Sequence, residues 1–451
     1  MHKNLRIGWM VLMIMLLAGT VPELSALPLD KVVDTELANG LKVLLLNNDK
    51  APVVSVQVWY KVGARNEPFS KSGLAHLTEH LMFRGTKKVG PKLYSRIIQK
   101  NGGQDNAFTS RDYTAYYENV SADRVAIPLE LEADRMTGLS VDEEKFLTER
   151  SVVQEERRLR IKDDPVASLF EEVTSTSFKN HPYQHPVTGW MEDLEGLSHQ
   201  DFLQFYRTFY QPANATLVVV GKIDLKTLLP AIEKTFGRVP KGLSPPPVII
   251  KEPPQSAEVR VLLRREAELP YVVFAFHVPS YPHPDAFALE IMSQILAGGK
   301  SSRMYQKMVY EEQKVLEVGA DYPFNSKDPF LFYLFAQALP GQNPEGIEER
   351  ILKELDTWEK DPPSEEELRR AKNQLEAGFI FAQDSIFYQG LLLGKYQSLG
   401  HWKGLDQFLP GIRAVTQEDL LRVYRTYFKD KPKTVGYLIP LPSEQNKNPL
   451  K

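Results

Sequence analysis

No cysteine occurs among the 451 residues of the chain. That absence excludes disulfides, thiolate metal ligands, a cysteine nucleophile and a lipid-modified N-terminal cysteine. Any bound metal must therefore be held by histidine and carboxylate. A strong charge of either sign is also lacking: 55 Lys and Arg against 58 Asp and Glu leave a net charge of -3. Such a balance excludes the broad basic face expected of a nucleic-acid binder. Long apolar runs are scarce as well, and the one conspicuous run lies at the very start. Met1 to Arg6 is mildly basic, Ile7 to Val21 is nearly all apolar, and Leu24-Ser25-Ala26 ends in a small residue. This order predicts a secretory signal peptide over 1–26, because the run is short for a bilayer span of about 20 residues. The rest of the chain is then expected to be exported, periplasmic or secreted, with no stable membrane span once the leader is cleaved.

What is present reads as more than one domain, since a chain of this length exceeds a single core. Leu41–Leu46 and Val53–Tyr60 carry β-branched, partly alternating strand patterns, and Tyr113–Asn119 and Thr216–Val220 add further strands. Helical patterns lie between them. Pro240, Pro245, Pro246, Pro247, Pro253 and Pro254 then exclude both helix and central strand and mark a linker. Beyond it Tyr271–Val278 repeats the Val54–Val62 pattern, again followed by a loop and a helix. The expected fold is α+β: two homologous domains, 27–239 and 257–451, each a mostly antiparallel sheet covered by helices, joined by the Pro-rich linker 240–256. Only the first copy carries polar machinery on its helix.

That machinery is His76-Leu77-Thr78-Glu79-His80. At about 100° per residue, His76, Glu79 and His80 fall on one helical face, while Leu74, Leu77 and Leu81 form a separate apolar stripe. Two imidazoles one turn apart can share a metal ion, and a carboxylate beside them can act on a water. Zinc hydrolases use three protein ligands and keep one position open. The third is sought on the segment Glu149–Arg158. Glu149 and Glu156 are seven apart and share a face with Val152 and Val153 between them, so both carboxylates are expected to be partly buried and to need partners. Glu156 is read as the ligand and Glu149 as the group orienting a histidine. Glu155, Arg157 and Arg158 read as solvated.

These residues resemble the pitrilysin and insulinase-type metallopeptidases, most of all the branch of roughly 450-residue chains that includes mitochondrial processing peptidase. The family carries His-x-x-Glu-His followed by a distant Glu ligand and a further Glu one heptad before it. The likeness extends through Gly103–Ser110, His181-Pro182-Tyr183, Ala213–Gly221 and Gly298–Arg303. It implies one zinc per chain, Glu79 as catalytic base, and a peptide added as an extra strand along Asn106 to Thr109. Asn106 and Ala107 would then bind peptide backbone, and Phe108 would shape a nearby pocket. The implied activity is that of a zinc-dependent metalloendopeptidase acting on peptides or unfolded polypeptides inside a chamber. The alternative is a non-catalytic assembly or peptide-binding protein of the same fold.

Other patterns carry less. His181 and His185 are four apart, but Pro182 and Pro186 forbid the helix that would bring them together. Gly299-Lys300-Ser301 resembles the end of a phosphate loop, yet Gln294 stands at the first glycine position and a helix precedes it. One departure from the family matters. Active relatives place an Arg and a Tyr in the second half to hold the peptide carbonyl, whereas Tyr310 and Glu317 occupy the matching positions. The expectation is a zinc-bearing subunit paired with a homologous chain that supplies both groups, or else a homodimer.

Overall fold

In the computed structural model, residues 27–441 are described; the predicted signal peptide lies outside them. The strands are β1 (Val33–Glu36), β2 (Lys42–Asn47), β3 (Val53–Tyr60), β4 (Gln104–Thr109), β5 (Thr114–Ser121) and β6 (Ala215–Gly221) in the first half. In the second half they are β7 (Val259–Glu266), β8 (Tyr271–Val278), β9 (Val315–Asp321), β10 (Phe330–Ala338) and β11 (Thr434–Leu441). They form a six-stranded sheet ordered β1-β2-β6-β3-β5-β4 and a five-stranded sheet ordered β7-β11-β8-β10-β9. Within each, one pair is parallel, β2 with β6 and β7 with β11, and the others are antiparallel. Apart from β1, the two sheets have the same strand order. The fold is α+β, as the sequence predicts, and residues 240–258 between the sheets carry no regular structure.

Period-2 alternation sends side chains to both faces of each sheet. In the first, Val43, Val56, Val58, Leu217 and Val219 pack with Leu74, Leu77 and Leu81 of the helix Leu74–Leu81. Leu44, Leu46, Trp59, Val218 and Val220 face the other way, against Leu392, Leu393 and Tyr396. Burying each such large side chain is worth about 1.5–3 kcal/mol, so both faces are strongly specified.

The covering of the second face was not foreseen. The helix on it, Ile386–Leu399, comes from the second half of the chain. Gly394 permits the approach, since a Cβ there would lie 2.2 Å from the Trp59 ring. Conversely the first-half helix Pro165–Ser177 places Leu169 and Val173 against Val273, Ala275 and Leu331 of the second sheet. The halves have thus exchanged equivalent helices. Repeated hydrophobic patterns reveal two copies but not which copy's helix covers which sheet.

Candidate metal centre and active site

The histidine helix, Leu74–Leu81, is only eight residues long and its N-cap is Gly73, at φ 85°. Any side chain on Gly73 would meet Gly189 Cα at 2.9 Å. With no side chain of its own to cap it, the helix is capped from outside. Buried Glu67 accepts the Gly73 and Ala75 N–H groups at 3.0 and 2.7 Å. The glutamate helix, Glu143–Arg157, starts conventionally, with Asp142 accepting the Lys145 N–H at 2.9 Å. The two helices pack together.

Their facing surfaces bring three donors to one place. Glu156 Oε2 lies 3.3 Å from His80 Nε2 and 3.9 Å from His76 Nε2. Donors around a tetrahedral ion with bonds of 2.0–2.1 Å stand about 3.3 Å apart, so the set fits zinc with a small closing movement. His76 adds an independent reason. It is 7% exposed, its Nδ1 has no hydrogen-bond partner, and its Nε2 is beyond hydrogen-bonding range of Glu156. The Nε2, the atom turned toward Glu156, is thus left without a hydrogen bond and available to a ligand. Burial, with His80 and Arg160 nearby, lowers the His76 pKa to about 3, so the ring is neutral and free to coordinate.

His80 is held differently. Its Nδ1 contacts Glu149 Oε1 at 2.9 Å, and Glu149 also binds Arg84. Burial opposes charge on both groups, but the pairing raises the His80 pKa, with Glu79 and Glu156 adding to it, and together with Arg84 lowers that of Glu149. Glu149 thereby fixes the ring with Nε2 toward Glu156. Glu79 accepts a hydrogen bond from Thr109 Oγ1 at 2.5 Å, and burial raises its pKa. Thr109 ends β4, the free edge of the first sheet. Glu79 is therefore tied to the edge strand of the first sheet.

The chain matches the model described as insulinase (peptidase family M16) over residues 42–189 and the model described as peptidase M16 inactive domain over 196–375. The zinc protease PqqE of Helicobacter pylori is 31% identical over 439 residues, spanning 96% of this chain and 98% of that one. The chain belongs to peptidase family M16. Another M16 relative, the uncharacterized zinc protease YmxG of Bacillus subtilis, is 26% identical over 87% of this chain and 94% of its own. A crystal structure of a protease from Helicobacter pylori superposes with a TM-score of 0.87 at 31% identity, covering 91% of this chain and 99% of that one. The M16 model that contains all three candidate ligands and Glu79 is the insulinase one.

The substrate-side residues are more dispersed. Ala107 donates its N–H to Asn106 Oδ1 at 2.9 Å, so a peptide added at this edge would have to displace the Asn106 side chain to take that donor. Asn106 also lines a cleft of about 410 Å³ with Glu79, His80, Phe83, Tyr94 and Lys92. Phe108 stands apart from that cleft, its ring against Trp59 at 5.4 Å and Tyr113 at 6.3 Å. Two helix assignments need correction. Val153 is buried between the glutamates but Val152 is 43% exposed. Arg157 is buried rather than solvated, bonding Glu171 at 2.7 Å and stacking on Trp190, while Glu155 and Arg158 do pair on the surface. His181 contacts Asp328 at 3.0 Å. Among the described residues, His76, His80 and Glu156 are the one group arranged to hold a metal. Sequence reasoning does not reach Glu67, Arg84 or the bond from Thr109 to Glu79; Arg84 alone carries a local signal, lying one turn after His80.

Proposed function

We propose that this M16 protein is an exported zinc metalloendopeptidase in which His76, His80 and Glu156 hold one zinc ion per chain. The supporting observation is a buried imidazole, His76, without a hydrogen bond, whose Nε2 and that of His80 converge on one Glu156 oxygen. When bound, zinc lowers the pKa of water and polarises a carbonyl. A peptide or unfolded segment adds as a strand along β4, where backbone groups are recognised with little regard to side chains. The Ala107 amide and Asn106 hold its backbone, and Phe108 supports the strand through Trp59. Glu79, positioned by Thr109, takes a proton from the attacking water and delivers it to the leaving amine. Glu149 holds His80 in the tautomer that leaves Nε2 unprotonated.

The second half offers no arginine-tyrosine pair at the positions relatives use. Tyr310 is 71% exposed, and Glu317 on the β9 edge receives a hydrogen bond from Tyr271. The protein is accordingly read as the zinc-bearing member of a pair, its companion a homologous chain or a second copy enclosing the chamber. The purified chain should contain one zinc and, together with its companion, cleave an internally quenched peptide, losing both with a chelator; full activity of the chain as a lone monomer would remove the pairing. Glu156→Gln should lower the metal content well below stoichiometry. Stoichiometric zinc in that variant would refute the ligand assignment, and cleavage indifferent to chelator would refute the mechanism.

A further inference from the structure

Hydrolysis places negative charge on the carbonyl oxygen, and Tyr310 and Glu317 stand in the second half where relatives carry the Arg and Tyr donors. The basic side chains around the metal centre differ in how far they are committed. Arg84 is bound to Glu149, Arg157 to Glu171, and Arg158 to Glu155. Arg160 is placed otherwise. It is 69% exposed and touches the site through one nitrogen, Nη1, at 3.0 Å from Glu156 Oε1. The other oxygen of that carboxylate faces the two histidines, so the guanidinium stands one carboxylate's width from the donor cluster.

Local backbone puts it there. Immediately after the glutamate helix, residues Arg158–Lys162 form a π-helical turn. Such turns widen the helix, re-aim the side chains they carry, and recur at functional sites. Arg160 lies one turn beyond Glu156, on the same side and at the rim, where a long side chain can leave the carboxylate for an incoming anion.

We infer that Arg160 is a further catalytic residue, whose guanidinium donates hydrogen bonds to the carbonyl oxygen as the peptide bond is attacked. The assignment rests on the zinc-peptidase reading above. As the water oxygen bonds to the carbonyl carbon, the π pair moves onto the carbonyl oxygen and Glu79 receives the proton. A charge-assisted bond from Arg160 then stabilises that oxygen. Collapse returns the pair to carbon, breaks the C–N bond, and sends the proton from Glu79 to the amine. One donor is thus supplied within the chain, leaving a companion chain to complete the enclosure.

The test compares wild type with Arg160→Ala and Arg160→Lys in the full mature chain. Three quantities are read: zinc content, kcat and KM on a quenched peptide, and calorimetric affinity for a phosphinic peptide carrying a tetrahedral anion. For Arg160→Ala, zinc should stay at one per chain while kcat falls about 10²- to 10³-fold. KM should change little, affinity for the phosphinic peptide should fall in parallel with kcat, and added guanidinium should restore part of the rate. Arg160→Lys should be intermediate. Zinc content falling in step with activity would overturn the assignment, making Arg160 a positioning residue for Glu156. Unchanged phosphinic-peptide affinity would overturn it as well. Wild type that holds zinc yet, as a pair with its companion, neither cleaves nor binds the phosphinic peptide would bring down the peptidase reading itself, and this assignment with it.

Discussion

The two halves build the same helix pair on the same sheet and put opposite chemistry on it. In the first, the histidine helix meets the glutamate helix through two imidazoles and a carboxylate. In the second, Asp285–Ala297 meets Glu365–Ala382, where the Gln294 amide donates to Gln374 at 2.8 Å. A neutral amide pair satisfies itself and needs no ion. The first half instead leaves His76 Nε2 without a hydrogen bond, beside a second imidazole and a carboxylate. The scaffold is common to both copies; four side chains separate a candidate metal centre from a packing contact.

Substitutions can test how complete that division is. The largest effect is expected from Glu79→Gln, which should retain zinc while kcat falls about 10²- to 10⁴-fold; an unchanged kcat would break the assignment of the base. Glu149→Ala should weaken zinc affinity about 10- to 100-fold, as loss of a group orienting a metal-bound histidine does. Competition with a chromogenic chelator measures this, and an unchanged affinity would mean that packing alone orients His80.

A subtler contrast lies in pH dependence. His76, with its pKa lowered by burial from 6.5 to about 3, is neutral when folded. The unfolded chain therefore binds the extra proton, and metal-free protein should lose stability as pH falls from 6.5 toward 3. Glu290, on the equivalent helix of the second half, is raised by burial from 4.5 to about 7. Here the folded chain holds the extra proton, so this contribution is full below 4.5 and is lost as pH rises through 7. Denaturation midpoints of metal-free His76→Leu and Glu290→Gln across this range should each flatten one limb. The smallest effect belongs to Gln294→Leu. Removing an exposed amide pair should cost no more than about 1 kcal/mol of stability and leave zinc content untouched, by thermal melt and metal analysis.

Much of this contrast was legible in the chain itself. His76, Glu79 and His80 follow from helical periodicity, and Glu156 from its spacing to Glu149 on a shared face. The proline run and the repeated strand pattern carried the duplication. What escaped were contacts set by tertiary packing. Arg157 looks like its charged neighbours until Glu171 and Trp190 close around it. Glu67 lies six residues before the helix start it caps, outside any local capping pattern. Phe108 sits on the edge strand, but strand alternation puts its ring on the face of the sheet that carries Trp59 and Ala115, opposite Ala107 and Thr109.

The reciprocal placement of Pro165–Ser177 and Ile386–Leu399 also bears on integrity. Equivalent segments traded between two like units are the arrangement of domain swapping in a symmetric dimer, here enclosed within one chain. This clasp makes the proline-rich stretch dispensable for cohesion. A nick within 240–258 would leave two fragments, each supplying one wall of the other's interior, that stay together until both unfold.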